Sequence, residues 1–238
     1  MPVVPEKTVE AVSAATVRNQ VRVPLRFVDG CTVAADVLTF DGLADGKEHL
    51  LLALGDWERP LLHRGPEYPA PLVRLHSECL TGDVFGSQRC DCGAQLREGI
   101  QEIAATGGFL LYLRQEGRGI GLYSKLDAYA LQDFGMDTYE ANVALGHGED
   151  ERDYTAAAQM LATLGAKSVR LLSNNPDKRA QLTALGIAVT EQIPTGVHLS
   201  PTNHRYLATK RDRTAHTLNI PPRPTKNATG HPAEYSRA

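Results

Sequence analysis

Short apolar segments alternate with polar connections through the first third of the chain. From Val21 onward, four such segments are separated by Gly, Asp and Pro, a pattern typical of β-strands joined by turns. The predicted strands cover residues 21–28, 31–40, 49–54 and 71–76. Cys31 opens the second of them and is interpreted as a core residue. Residues 1–20 precede this pattern and are predicted to form a weakly ordered or helical extension.

From Gly93 onward, helical periodicity alternates with short apolar strands. Leu96, Ile100 and Ile103 recur at helical spacing, and the apolar segment 108–114 follows as a buried strand. The alternation continues with predicted helices and strands at residues 155–166, 167–173, 176–186 and 186–193. Strands that alternate with helices in this way indicate an α/β domain with parallel strand pairs.

The predicted fold is therefore of the α/β class. It has a mixed, partly parallel sheet with flanking helices and a β-rich N-terminal portion, and it is predicted to occupy residues 21–218. The last segment, residues 219–238, is polar and rich in proline, and we expect it to be disordered.

Composition and charge restrict the classes of partner. The formal net charge of −3 gives no overall attraction for nucleic acid or an anionic membrane, so local Arg and Lys must hold any anionic ligand. No apolar run approaches the roughly 20 residues that a membrane helix needs. The N-terminal residues show no apolar signal-peptide core, so we expect a cytoplasmic protein whose thiols stay reduced.

The most informative stretch is residues 74–96, which contains three of the four cysteines: Cys79, Cys90 and Cys92. Their thiolates come together only if a loop folds back on itself. Zn²⁺ binds thiolates well, and three protein ligands leave its fourth tetrahedral position to water, as in catalytic sites. Three unrelated buried cysteines are the first alternative, although the polar surroundings offer them little apolar wall. A closed structural site is the second, with Cys31 or His76 as fourth ligand.

Two polar loops follow predicted strands, where open α/β sheets tend to bind ligands. In RQEGRGIGL, Arg114 and Arg118 can each bind a phosphate through two hydrogen bonds, although a solvated loop is equally compatible with the spacing. In SNNPDK, Asn175 is predicted to cap a helix whose first residue is Pro176. That helix start and Lys178 form either an anion site or an ordinary cap.

The segment HSECLTGDVFGSQRCDCG, residues 76–93, resembles the zinc motif of GTP cyclohydrolase II, the enzyme that opens riboflavin biosynthesis. The resemblance continues through RQEGRGIGL, DAYALQD, DTYEAN, DERDY and NNPDK, and covers roughly residues 70–215. It implies hydrolysis of GTP, in which the imidazole ring opens at C8 and pyrophosphate and formate leave. The product is then 2,5-diamino-6-ribosylamino-4(3H)-pyrimidinone 5′-phosphate.

The resemblance also implies roles for individual residues. One zinc ion per chain is expected at the three clustered cysteines. The position of Tyr129 is assigned to ring opening, and the positions of Asp150 and Arg152 to the phosphate step. Contacts with GTP carry over to Arg74, Glu78, Gln95, Glu116, Arg118, Thr138, Ser173 and Lys178. A homodimer is implied as well, and Mg²⁺ is expected with the triphosphate.

At three positions, the roles implied by the family resemblance need comment. The family assigns a nucleophilic role at Arg152, but a guanidinium stays protonated and suits a phosphate clamp better. Ser173 stands where the family usually has Thr, and it keeps the hydroxyl. Met136 stands where many members have Tyr. Met136 is predicted either to pack under the helix that begins near Thr138, or to leave the product still formylated because a hydrogen-bonding group is missing.

Two functions of other classes remain as alternatives. A zinc-stabilised nucleotide-binding module without catalysis would need neither Tyr129 nor the pair Asp150 and Arg152. A nucleic-acid adaptor is disfavoured by the negative net charge and the absence of a basic stripe in the sequence.

Overall fold

The computed structural model describes residues 14–200 apart from residues 64 and 66, together with residue 203. Most of the predicted N-terminal extension and the whole predicted tail, residues 219–238, lie outside the described residues. No helix within the described part of the chain is long and apolar enough to cross a membrane.

A seven-stranded sheet has the strand order β1-β2-β3-β5-β4-β6-β7. The strands are β1 Thr16–Arg26, β2 Thr32–Asp41, β3 Leu50–Leu54, β4 Leu72–Ser77, β5 Gly108–Leu113, β6 Ser168–Leu172 and β7 Ala188–Ile193. Strands β1, β2, β3 and β5 pair antiparallel in that order. Strands β5, β4, β6 and β7 pair parallel. The sheet therefore confirms the predicted mixed α/β fold and its β-rich N-terminal portion.

Helices flank this sheet: α1 Arg59–Leu62, α2 Leu80–Asp83, α3 Cys92–Thr106, α4 Leu122–Asp133, α5 Thr138–Ala144, α6 Thr155–Thr163 and α7 Pro176–Ala184. A short 3₁₀ turn, Glu116–Gly119, precedes α4. The periodic helices predicted after Gly93 are confirmed as α3, α6 and α7. Asn175 caps α7 as predicted, since its side chain accepts a hydrogen bond from the Asp177 amide.

Alternate residues of β5 face two separate hydrophobic cores. Phe109, Leu111 and Leu113 belong to one core together with residues of α6, whereas Leu110 belongs to the other together with Ile103 of α3. A strand that is covered on both faces needs apolar residues at every position, which explains the continuous run in its sequence. The sheet is thus rigidly held where β4 and β5 lie side by side.

Two predictions at the N-terminal side are wrong. Strand β1 begins at Thr16, so residues 16–20 are neither weakly ordered nor helical. The side chains of residues 16–20 are all exposed, so this part of β1 is ordered by its backbone pairing with β2 and not by burial of apolar residues. Cys31 is half-buried in the turn before β2 and is not part of either core.

The parallel strands place three carboxyl ends at one edge of the sheet. Ser77 ends β4, Leu113 ends β5 and Leu172 ends β6. Each of these strands is followed directly by one of the polar motifs. Because parallel strands all point to the same edge, the fold brings together loops that are far apart in the sequence.

Candidate active site

A cleft opens at this edge of the sheet, with α4 and α5 on its far side. Most of the site residues predicted from the sequence line it: Arg74, Glu78, Cys79, Cys90, Cys92, Gln95, Glu116, Arg118, Tyr129, Thr138, Arg152, Ser173 and Lys178. Within the described part of the chain, Asp150 and Met136 do not line it. Asp150 nevertheless contacts Arg152, which does.

The three cysteines have the spacing that a metal site requires. Their sulfur atoms all lie within 4.8 Å of one another, and the sulfurs of Cys79 and Cys90 are 3.7 Å apart. A tetrahedral zinc ion with bonds of about 2.3 Å separates two sulfurs by about 3.8 Å. All three thiols are free rather than disulfide-bonded. The donor set and its geometry therefore fit zinc.

Two glycines allow this close approach. A Cβ atom on Gly82 of α2 would lie 2.7 Å from the sulfur of Cys90 and 3.1 Å from that of Cys79. A Cβ atom on Gly93 would lie 2.3 Å from the carbonyl oxygen of Gly82. Side chains at these positions would push α2 away from the start of α3, and the cysteines on the two segments would separate.

His76 helps to hold the cysteine loop, residues 79–92, in place through Asp83 and is not a fourth metal ligand. Its Nε2 donates to the Asp83 carboxylate at 3.1 Å, and its ring stacks on Tyr112. The same carboxylate accepts from the Tyr112 hydroxyl at 2.9 Å and from the Cys79 amide at 3.0 Å. Burial lowers the pKa of His76, so its ring is neutral. The metal-binding group found in the described residues includes neither His76 nor Cys31.

Lys125 is a site residue that the sequence reasoning missed. Its buried ammonium group lies 3.1 Å from the sulfur of Cys79 and 2.7 Å from Oε1 of Glu116. Burial alone would lower the pKa of Lys125, but the negative charge at Cys79 and the hydrogen bond to Glu116 raise it above its usual value. The sequence could have indicated Lys125 as a site residue, because it lies four residues before Tyr129 and therefore on the same face of α4.

Two cations lie close to the ring of Tyr129. The guanidinium carbon of Arg89 is 4.9 Å from the centre of its ring, and the Lys125 nitrogen is 5.6 Å away. Arg89 is itself held by two hydrogen bonds to Asp133, at 2.7 and 2.8 Å. Burial raises the pKa of Tyr129 despite the opposing charge of Lys125, so its hydroxyl stays protonated. The ring is thus fixed in place with a proton available to donate.

Arg152 and Asp150 form a tight pair beside the cleft. The Arg152 Nε donates to Asp150 Oδ1 at 2.8 Å, and a second hydrogen bond joins its NH2 to Oδ2. Burial would raise the pKa of Asp150, but the hydrogen bonds and charge of Arg152 outweigh burial and lower it. The Arg152 guanidinium is therefore held protonated and oriented by an ionised carboxylate.

Arg118 is fixed by an unusual backbone and by an aromatic ring. Its φ angle is 64°, the only positive φ of a non-glycine residue within the described ranges. This conformation is uncommon for a side chain as large as that of Arg and places local strain in the turn. Its guanidinium lies over the Tyr139 ring, 4.3 Å from the ring centre. The strained turn thus directs a cation into the cleft.

Two of the side chains predicted to contact GTP form hydrogen bonds with other residues of the protein. Gln95 accepts from Arg74 at 2.9 Å and donates to Asp91 at 2.7 Å. Glu116 accepts the Leu80 amide at 2.6 Å in addition to Lys125. In this structure these two side chains therefore position Arg74 and the cysteine loop.

Two expectations about individual residues are corrected by the structure. The Arg114 side chain donates a hydrogen bond to Glu78 at 2.8 Å. Among the described residues, Arg118 lines the cleft and Arg114 does not. Met136 is 37% exposed, so the interpretation that it packs under α5 is wrong. Met136 lies in the connection between α4 and α5, at the protein surface.

The chain was compared with known proteins. The model of the family GTP cyclohydrolase II matches residues 18–194. The GTP cyclohydrolase-2 of Vibrio cholerae serotype O1 (strain ATCC 39315 / El Tor Inaba N16961) is 50% identical over 188 residues, which are 79% of this chain and 91% of that protein.

Two further relatives extend the comparison. The GTP cyclohydrolase-2 of Aliivibrio salmonicida (strain LFI1238) is 47% identical over 199 residues, 84% of this chain and 96% of the relative. A riboflavin biosynthesis protein of Vibrio vulnificus (strain YJ016) is 53% identical over 177 residues, which cover 74% of this chain and 46% of that longer protein.

We predict that Gly82→Ala loses metal while remaining folded. The added Cβ atom would lie 2.7 Å from the Cys90 sulfur, so the three sulfurs could no longer close around one ion. Zinc content per chain, measured by atomic emission, should fall to below about one tenth of the wild-type value. Val84→Ala is the matched control, because this neighbouring side chain is exposed. Wild-type zinc content in Gly82→Ala would contradict the assignment.

Proposed function

Because this chain belongs to the GTP cyclohydrolase II family, we propose that it hydrolyses GTP as an enzyme of riboflavin biosynthesis. The imidazole ring opens at C8, formate and pyrophosphate leave, and the product is the ribosylated diaminopyrimidinone 5′-phosphate. One observation carries this proposal. Three sulfur atoms within 4.8 Å of one another line the same cleft as the basic side chains that suit a triphosphate.

The proposed metal is one zinc ion per chain, held by Cys79, Cys90 and Cys92. The chemistry that zinc supplies in such a site is activation of a water molecule near neutral pH. Lys125 offsets part of the negative charge of the three thiolates and donates a hydrogen bond to one of them. Glu116 anchors both Lys125 and the Leu80 amide, and it thereby fixes the cysteine loop beside α4.

Tyr129 is the proposed proton donor in ring opening. Burial raises the pKa of its hydroxyl, and its ring contacts Arg89 and Lys125 in the wall of the cleft. An imidazole nitrogen that gains electron density as the ring opens needs such a donor. The charge of Lys125, which opposes the effect of burial on the pKa of Tyr129, also stabilises negative charge on the tyrosine oxygen after the proton has left.

Arg152 is proposed as a phosphate clamp rather than a nucleophile. Its guanidinium is fully protonated, and two hydrogen bonds to Asp150 fix its orientation. A protonated guanidinium has no free electron pair for attack on phosphorus, but it stabilises the charge that develops on phosphate oxygens. Asp150 orients Arg152, and it is the candidate base for a water molecule that attacks the α-phosphate.

The remaining parts of the proposal concern substrate and assembly. Side chains proposed to contact GTP are Arg74, Glu78, Gln95, Glu116, Arg118, Thr138, Ser173 and Lys178. Mg²⁺ is proposed to enter with the triphosphate, since it commonly bridges nucleotide phosphates. We also propose a cytoplasmic homodimer without nucleic-acid or membrane partners.

No observation favours the formylated product or a module without catalysis. Met136, the candidate determinant of a formylated product, is partly exposed and lies outside the described lining of the cleft. A module that only binds nucleotide would not need Tyr129 or the paired Asp150 and Arg152 in position. Complete reaction to formate, pyrophosphate and the diaminopyrimidinone is therefore the preferred proposal.

Incubation of the zinc-loaded enzyme with GTP tests this function. We expect the guanine absorption band to disappear, and formate and pyrophosphate to accumulate in equal amounts. Mass spectrometry should identify the deformylated product. A shortfall of formate that Met136→Tyr restores would support the formylated alternative. A nucleotide that stays intact while it binds tightly would support the non-catalytic module.

We predict that two variants separate the half-reactions. Cys90→Ser should abolish ring opening, because one metal ligand is replaced, while pyrophosphate is still released from GTP. Arg152→Ala should lose pyrophosphate release by about a hundredfold or more, the size of loss seen when one charge-stabilising group is removed. Both activities are measured on the same samples. Loss of pyrophosphate release in Cys90→Ser would show that the metal or the loop serves both steps.

A further prediction concerns the room that Gly99 provides. Gly99 lies inside α3, where a Cβ atom would approach the Arg74 side chain to 2.5 Å. Gly99→Ala should lower the melting temperature, since displacing the buried Arg74 side chain is unfavourable by about 1–3 kcal/mol, more than the about 0.5–1 kcal/mol by which Ala is favoured over Gly in a helix interior. It should weaken GTP binding by about tenfold or more, because a displaced Arg74 loses charge-assisted hydrogen bonds.

The matched control for this prediction is Ala105→Gly, at an exposed position of the same helix. That change should lower the melting temperature and leave GTP binding unaltered. Wild-type affinity for GTP in Gly99→Ala would contradict the prediction, because the position of Arg74 would then not depend on the absence of a side chain at residue 99.

A further inference from the structure

Asn142 is a buried polar residue that the mechanism above does not use. Its side chain is only 2% exposed, and its amide nitrogen Nδ2 has no hydrogen-bond partner among the described residues. The residue nevertheless lines the cleft. Leaving a buried donor unpaired is unfavourable by about 1–3 kcal/mol, so such groups are rare unless a ligand satisfies them.

The position of Asn142 on α5 is rigid. The helix begins with a capping box in which Asp137 accepts the Glu140 amide and Glu140 accepts the Asp137 amide. Asn142 lies one turn after Thr138, so both residues face the cleft from the same side of α5. Tyr139, which follows Thr138 on this helix, lies under the Arg118 guanidinium. Helix α5 therefore carries both the Asn142 amide and the aromatic ring that supports the Arg118 guanidinium.

The cleft contains two further buried nitrogen donors that lack a hydrogen-bond partner in the described structure, Arg74 Nε and Arg118 NH1. Arg118 NH1 lies 3.9 Å from the Asp150 carboxylate, an ion pair that is too long for a hydrogen bond. The three groups all donate hydrogen bonds. A guanine base offers both donors and acceptors along its edge, whereas phosphate oxygens only accept. Because the Arg118 guanidinium lies over Tyr139 of the same helix, a negatively charged acceptor such as a phosphate suits the Asn142 amide better than the base does.

We propose that Asn142 is a substrate-contacting residue whose side-chain amide donates a hydrogen bond to a phosphate oxygen of GTP. This assignment rests on the proposed function and names one further contact in the same site. It has a second consequence, because the amide is unpaired until the phosphate arrives. Removing it should weaken phosphate binding and at the same time stabilise the free protein.

Isothermal titration calorimetry of the zinc-loaded protein tests the assignment with two probes. Inorganic pyrophosphate carries phosphate without the base, and guanosine carries the base without phosphate. Asn142→Ala should weaken pyrophosphate binding by about tenfold to a hundredfold, the range for a hydrogen bond to a charged group. Asn142→Asp, which has nearly the same shape, should weaken it further because like charges repel. Guanosine binding should change by less than about twofold.

Thermal unfolding without ligand provides the independent readout. Asn142→Ala should melt at the same temperature as wild type or higher, since a desolvated unpaired amide is removed. Val143→Ala, an exposed neighbour on α5, is the control and should alter neither ligand affinity. A lower melting temperature in Asn142→Ala, with both affinities unchanged, would mean a structural role and overturn the proposal.

Two other outcomes would also overturn the assignment. Weaker guanosine binding with unchanged pyrophosphate binding would place the amide at the base edge. Wild-type protein without measurable affinity for pyrophosphate would show that the unpaired donors have another partner. A wild-type protein that binds pyrophosphate but leaves GTP intact contradicts the proposed function alone, and the Asn142 contact would then still be supported by the variants.

Discussion

The active site depends on bringing three cysteine sulfurs within 4.8 Å of one another. Hydrogen bonds from the neighbouring thiols and the charge of Lys125 lower the pKa of Cys79, while the hydrogen bond with Cys79 raises the pKa of Cys90 to about 11. Without a metal, a single thiolate, at Cys79, is thus favoured over three thiolates in the cluster. A divalent cation is what allows all three sulfurs to be thiolates, which links metal binding to deprotonation of the site.

The rest of the fold holds these sulfurs in position. Asp83 joins the cysteine loop to β4 and β5 through His76 and Tyr112, and Glu116 joins it to α4 through Lys125. The cysteine loop is therefore tied to a sheet that is packed on both faces. This explains how a polar loop with little apolar surface of its own can keep a defined geometry.

The cleft is basic although the chain as a whole is acidic. Each cation is supported differently: Arg152 by a carboxylate, Arg118 by an aromatic face, and Lys178 by the carbonyl oxygen of Leu75 at 2.6 Å. Supporting contacts of this kind leave the donors oriented before the ligand binds. Preorganised donors stabilise developing charge more effectively than donors that must first reorient.

The sequence predicts the parts of this arrangement that are encoded locally. Apolar periodicity located the β5 strand and α3, and the long cysteine motif located the three cysteines that the fold clusters. The first five residues of β1, residues 16–20, were missed because their order comes from pairing with β2 rather than from burial of their side chains. Lys125 and Asn142 were missed because their importance arises from neighbours that are distant in the sequence. The spacing of the motif does not distinguish Arg114 from Arg118, whereas the fold pairs Arg114 with Glu78 and places Arg118 in the lining of the cleft.

X-ray absorption at the zinc edge tests the central claim most directly. The account predicts one zinc per chain with three sulfur neighbours at about 2.3 Å and one light atom at about 2.0–2.2 Å. On addition of GTP, the three sulfur neighbours should remain while the light-atom shell changes. Four sulfur neighbours before and after GTP, or a zinc shell without three sulfurs, would contradict an open catalytic site at these cysteines.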